Sequence, residues 1–107
     1  MRLDAGDARR AVQLFRQALA ISNRAVSEDP QNGFARLQAA SGEHGLGRAL
    51  LAQSSAQSLA EGCAALERVR VYWSRLQSKG ELPPGETVEL QNLPSLLARC
   101  GPVRPSS

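Results

Sequence analysis

The chain reads as an all-α bundle of three long helices and a short fourth one, and three observations carry that reading. Apolar and small residues recur every three or four positions over most of its length. No segment alternates in the manner of a half-buried strand, and proline or glycine breaks the pattern at residues 29–33 and 79–85. At 107 residues, 42% of them hydrophobic, the chain is expected to form one domain over residues 1–100 with its own core, followed by a disordered tail at 101–107.

The first helix is expected over residues 7–29. Ala11, Phe15, Ala18, Ser22 and Ala25 form one stripe along it, Val12, Leu19 and Val26 run beside them, and Asp7 supplies the cap. Pro30 ends it, because proline lacks a backbone donor and disfavours helix in the residue before it. A second helix over 34–53 turns Phe34, Leu37, Ala40, Leu46 or Gly47, Leu50 and Leu51 to the core. Gly42, Gly45 and Gly47 in its middle cost about 1 kcal/mol each relative to alanine, which predicts that another helix approaches closely there.

Serines at 54, 55 and 58 make a polar turn with capping hydroxyls. The third helix then carries Leu59, Cys63, Leu66, Val69, Trp73 and Leu76, and stops at Lys79-Gly80 with a cation in its last turn and glycine just beyond. Leu82-Pro83-Pro84-Gly85 is a rigid connector. Val88, Leu90, Leu93, Leu96 and Leu97 form the short fourth helix, in which Pro94 either makes a kink or opens a second piece near Asn92.

Thirteen basic and ten acidic residues leave a net charge of +3, but the two signs are interleaved along the helices. That distribution describes a solvated surface and not a phosphate-tracking stripe, and Phe15, Phe34, Tyr72 and Trp73 fall at core positions, so no nucleic acid is expected as a partner. No apolar run approaches the roughly 20 residues of a bilayer span, and Met1-Arg2-Leu3-Asp4 lacks the apolar stretch of a signal peptide. No membrane partner and a cytoplasmic location are expected.

Catalytic chemistry finds little to work with. His44 is the single histidine, and the adjacent Glu43 points about 100° away on a helix, so the two make no dyad. A small hydrolase using His44 with Ser41 or Cys63 is the least favoured reading. Cys63 and Cys100 show no metal-ligand spacing, so neither metal nor cofactor is expected. Cys63 sits on an apolar stripe as a small hydrophobe, and Cys100, near the tail, is expected to be the reactive thiol, prone to intermolecular oxidation. Gly42, Gly45 and Gly47 lack the preceding strand and adjacent lysine of a phosphate loop.

The spacing of Gly6, Ala11, Phe15 and Ala18, with Pro30 closing the unit, resembles the second half of a tetratricopeptide repeat. Leu46-Gly47 with Leu50 resembles the first helix of the next repeat, and Gly62, Leu66 and Val69 its second. Both arms run about two turns longer than the usual repeat of roughly 34 residues, as in extended repeats from the C-terminal regions of some bacterial protein kinases. The likeness covers residues 6–80, with 83–100 as a terminal cap. It implies an antiparallel helix-turn-helix bundle that acts as a protein or peptide interaction module, with no catalytic residue. By the matching positions, Ser41, His44, Gly45, Arg48, Leu51 and Ala52 line the peptide surface, Arg48 able to hold a carboxylate and Ser41, His44 and Leu51 beside it. The chain opens at the turn before a repeat's second helix. Either the chain is the end of a longer array, or that helix is expected to pair with the fourth one or with another copy of the chain through its Ala11, Phe15 and Ala18 face, and a self-associating scaffold is the alternative function.

Overall fold

The structure is a computed structural model that describes residues 5–53 and 55–101. Among the described residues it is all-helical: α1 (Ala5–Glu28), α2 (Gly33–Leu51), α3 (Ala56–Ser78), α4 (Pro84–Leu97) and a closing 3₁₀ turn, Ala98–Cys100. Residues 102–107 of the tail expected at 101–107, Ser54 of the expected polar turn and the Met1 to Asp4 start lie outside the described residues.

Local chemistry explains most of the ends. α1 begins two residues earlier than expected, so Asp7 stands inside its first turn and not at its cap. Its carboxylate there faces the positive end of the helix dipole. After Pro30 the chain turns on Asp29, whose carboxylate accepts from the Gln31 N–H at 3.2 Å. Asn32 then caps α2 by accepting from the Ala35 N–H at 3.1 Å. Ser55 does the same for α3 through the Ser58 N–H. α3 ends in a Schellman motif: Gly80, at φ +70°, donates to the Gln77 carbonyl and Glu81 to that of Leu76. Pro84 is already the first helical residue of α4, so the expected rigid connector is partly helix. Pro94 sits inside one continuous α4 and opens no second piece; the helix tightens into the 3₁₀ turn only at Ala98.

Contacts between successive helices run in opposite senses along the chain. Leu19 meets Gly42 and Phe15 meets Gly45, so α1 and α2 are antiparallel. Arg36 lies over Tyr72, Glu43 pairs with Arg68, and Gly47 touches Gly62, so α2 and α3 are too. α4 returns along α3, seating Leu93 in a core with Ala40, Leu51, Leu66, Val69 and Trp73. A second cluster, Val12, Leu46, Ala49 and Leu50, joins α1 to α2. Arg16 of α1 reaches Glu61 of α3 at 2.7 Å; that hydrogen bond holds the carboxyl below its ordinary range. Both groups are largely exposed, and such pairs add little stability.

Two expectations about side chains fail. Phe34 is 71% exposed and does not belong to the core; Ala35, the next residue, takes the inward place in the first turn of α2. Cys63 and Cys100 are neither a lone core residue and a free thiol nor partners in an intermolecular reaction: they form a disulfide with their Cα atoms 5.9 Å apart. The return of α4 along α3 brings Cys100 back to the first turns of α3. No helix among the described residues is long and apolar enough to cross a membrane.

Candidate functional site

Four of the six residues expected to line a peptide surface, Ser41, His44, Arg48 and Leu51, divide into two pairs. Seven residues make nearly two full turns, so Ser41 and Arg48 share one line along α2, and His44 and Leu51 share another rotated toward the core. Ser41 and Arg48 are exposed. His44 and Leu51 are only 7% and 2% exposed, because α3, α4 and the 3₁₀ turn cover them. The Trp73 ring lies 5.1 Å from the His44 imidazole. Arg99 donates to the Leu51 carbonyl at 2.9 Å, placing a cation on the last residue of α2 where helix carbonyls lack partners. Of the neighbouring positions, Gly45 is filled from the α1 side by Phe15, and Ala52 is half-buried.

The burial of His44 has a chemical consequence. Removal from water pushes its pKa down; nearby Arg48 acts in the same direction, and the Glu89 carboxylate opposes them. Glu89 Oε2 stands 3.6 Å from Nε2, beyond hydrogen-bond range. The Nε2 atom and the Trp73 indole N–H are both buried without a hydrogen-bond partner. An imidazole enclosed by an indole and a helix, its basicity lowered by burial, is out of a substrate's reach and a poor candidate for general base. Cys63 is committed to the disulfide and Ser41 lies on the exposed line, so neither completes a nucleophilic pair. Among the described residues, no three His, Cys, Asp or Glu side chains converge as a metal site.

The larger opening lies on the other side of α2. A groove of about 700 Å³ runs between α1 and α2, lined by Phe15, Ala18 and Ser22 on one wall and Phe34, Leu37, Gln38, Ser41 and Gly42 on the other, with Pro83 and Glu86 beside it. Its floor is set by glycine. A Cβ on Gly45 would lie 2.3 Å from the Phe15 ring, so the ring can seat there only because that atom is missing. About 40–60° round α1 from Ala18 by helix geometry, Leu14 is 58% and Ile21 73% exposed, the same order as Phe34. Sequence reading reached Phe15, Ala18 and Ser41 of this surface but placed Phe34 in the core and passed over Leu14 and Ile21. The available signal was their seven-residue spacing, off the main stripe.

A smaller pocket of about 190 Å³ opens where α1, α2 and α3 meet. It carries Arg36 stacked on Tyr72, with the guanidinium 5.3 Å from the ring centre, and the Glu43–Arg68 pair. Comparison with known proteins returns nothing: no protein-family model, no curated protein and no solved structure matches the chain.

Proposed function

We propose that the chain is a non-catalytic helical interaction module of tetratricopeptide type, and that it receives an amphipathic segment of a protein partner in the α1–α2 groove. In this reading α1 is the second helix of one repeat, α2 and α3 are the following pair, and α4 is the cap. The observation that carries it is the groove itself: an apolar channel bounded by two long helices, with a large aromatic, Phe34, left 71% exposed at its wall. What marks the surface is that Phe34 is gathered with Leu37, Phe15 and Ala18 along one channel, since contiguous apolar patches, unlike residues exposed singly, signal interaction sites. Such a channel suits helix-in-groove recognition, in which residues at i, i+3 or i+4 and i+7 of the partner supply the anchors. Phe15 seated on Gly45 is the packing that the repeat pattern implies for its aromatic and small positions. Ser41 and Arg48 remain available for polar contacts along the rim, whereas His44 and Leu51 serve the packing beneath α4. The Cys63–Cys100 bridge favours an oxidising compartment over the cytoplasm for this module.

The test is selection from a displayed library of helical peptides against the full chain. Selected peptides should show the i, i+4, i+7 apolar pattern. Phe34→Glu should abolish their binding, while Val88→Glu, at an exposed apolar position on α4, should leave it intact. Binders indifferent to Phe34→Glu, or no binders to a chain that sediments as a monomer, would remove the proposal.

A further inference from the structure

We infer that the occupant of the α1–α2 groove is α1 of a second copy of this chain, packed antiparallel about a twofold axis near Ala18; the inference rests on the groove being the interaction site. The first argument is the pattern along α1. Ala11, Leu14, Ala18, Ile21 and Ala25 follow one another at intervals of three and four, which is the spacing of a coiled-coil seam. The alanines lie on the shoulder that faces the groove, where small side chains let a second helix come close, and the leucine and isoleucine stand beyond them. α2 already covers the Val12 and Phe15 side of α1 and reaches Ala11 at the seam's edge, so Leu14, Ala18 and Ile21 are the part of the seam that the fold itself does not use.

The second argument is self-complementarity. One surface presents both a ridge, Leu14 and Ile21, and a channel beside it walled by Phe34 and Leu37. A twofold operation places each ridge against the other copy's channel, as an isologous interface requires.

The third argument is charge, and it sets the direction. The N-terminal end of α1 carries Arg9 and Arg10, tempered by Asp7, and its C-terminal end carries Glu28 followed by Asp29. Antiparallel packing brings the arginines of one copy to the acids of the other, whereas parallel packing would set like against like. Arg10 and Glu28 both lie within about 40° of the Leu14 line on the helix, so they flank the seam itself. Glu28 already touches Arg24 of its own helix at 3.3 Å, but that exposed pair holds it only weakly.

The experiment is sedimentation equilibrium on the full chain, without reductant so that the Cys63–Cys100 bridge stays closed, across a hundredfold range of concentration. A reversible dimer is expected. Ile21→Glu alters a residue 73% exposed in the monomer and should leave the circular dichroism unchanged while weakening the dimer by about a hundredfold or more. Arg10→Glu and Glu28→Arg should each weaken it several-fold, and the two together should restore most of the loss, which parallel packing would not do. A monomer throughout, a dimer indifferent to Ile21→Glu, or charge reversals that only accumulate would overturn the inference. A monomer whose groove still selects peptides sensitive to Phe34→Glu would defeat the second copy and leave the interaction module standing.

Discussion

The seam between α2 and α3 and the seam between α1 and α2 use the same materials, two long antiparallel helices with glycine facing the partner, and they end in different states. At α2–α3 the glycines face each other. A Cβ on Gly62 would lie 2.9 Å from the Gly47 carbonyl oxygen and 3.0 Å from the Leu50 Cβ, so backbone sits against backbone and the seam closes. At α1–α2 the glycine faces a side chain: Gly45 receives the Phe15 ring, and a channel opens beside it. α4 then seals the first seam with Leu93 and the disulfide, and only its N-terminal end, at Pro83 and Glu86, reaches the second. Rigidity and opportunity are thus assigned to opposite sides of one helix, α2.

The comparison can be broken most forcefully at Trp73. The indole is 1% exposed at the centre of the closed side, and Trp73→Ala should cost about 3–5 kcal/mol in a denaturant melt. Phe15→Ala, at the half-buried wall of the open side, should cost about half that. Equal losses would mean that the two seams are equally tight. Opening the bridge comes next. Cys63 and Cys100 are 37 residues apart, so loop closure gives an upper figure of about 4 kcal/mol. Melting with and without reductant should show the loss, and the Cys63→Ser, Cys100→Ser double variant should be insensitive to reductant.

The two glycines sharpen the contrast further. Gly62→Ala must push backbone away from backbone and should destabilise by about 1–3 kcal/mol, despite alanine's better helix propensity. Gly45→Ala meets only the far end of a ring bordered by the groove, which can swing aside, so its net effect should fall within about 1 kcal/mol of zero. Comparable losses at the two sites would contradict the distinction drawn between them.

The smallest effect is acid sensitivity at His44. Burial lowers its pKa in the folded chain, so the unfolded chain takes up the proton first as the pH falls through the ordinary value near 6.5. The contribution is complete above that pH, declines below it, and levels off once the folded imidazole is protonated as well. Stability measured between pH 7 and 5.5 should therefore slope downward toward acid, and His44→Phe should flatten the slope. An unchanged slope would place its origin elsewhere.

Much of this architecture was legible in advance because helices are written locally. Pro30, Asn32, Ser55 and Gly80 act on their own backbone neighbours, and the four helices begin and end within a few residues of where those residues predict. Close approach at Gly45 and Gly47 was equally legible, since glycine in mid-helix needs a reason. Gly42 received the same reasoning without the same outcome: a Cβ there would sit 3.6 Å from Leu19, an ordinary contact. Spacing alone could not separate Phe34 from Ala35, because the first turn of a helix fixes its inward direction only once its neighbours are placed. The seven-residue spacing of Leu14 and Ile21 was there to be read, but spacing does not say whether such a line is covered, and among the described residues it is exposed.

The sequence by itself determined the class of fold, the helix ends and the presence of a core anchored by Trp73, for these depend on short-range periodicity, capping and volume. The tertiary structure decided which side of α2 is closed, that His44 is packed rather than presented, and that Cys63 meets Cys100. All three follow from the path of α4 back along α3. That path is chosen by the fit of Leu93 and its neighbours against residues distant in the chain, a choice that no local spacing encodes.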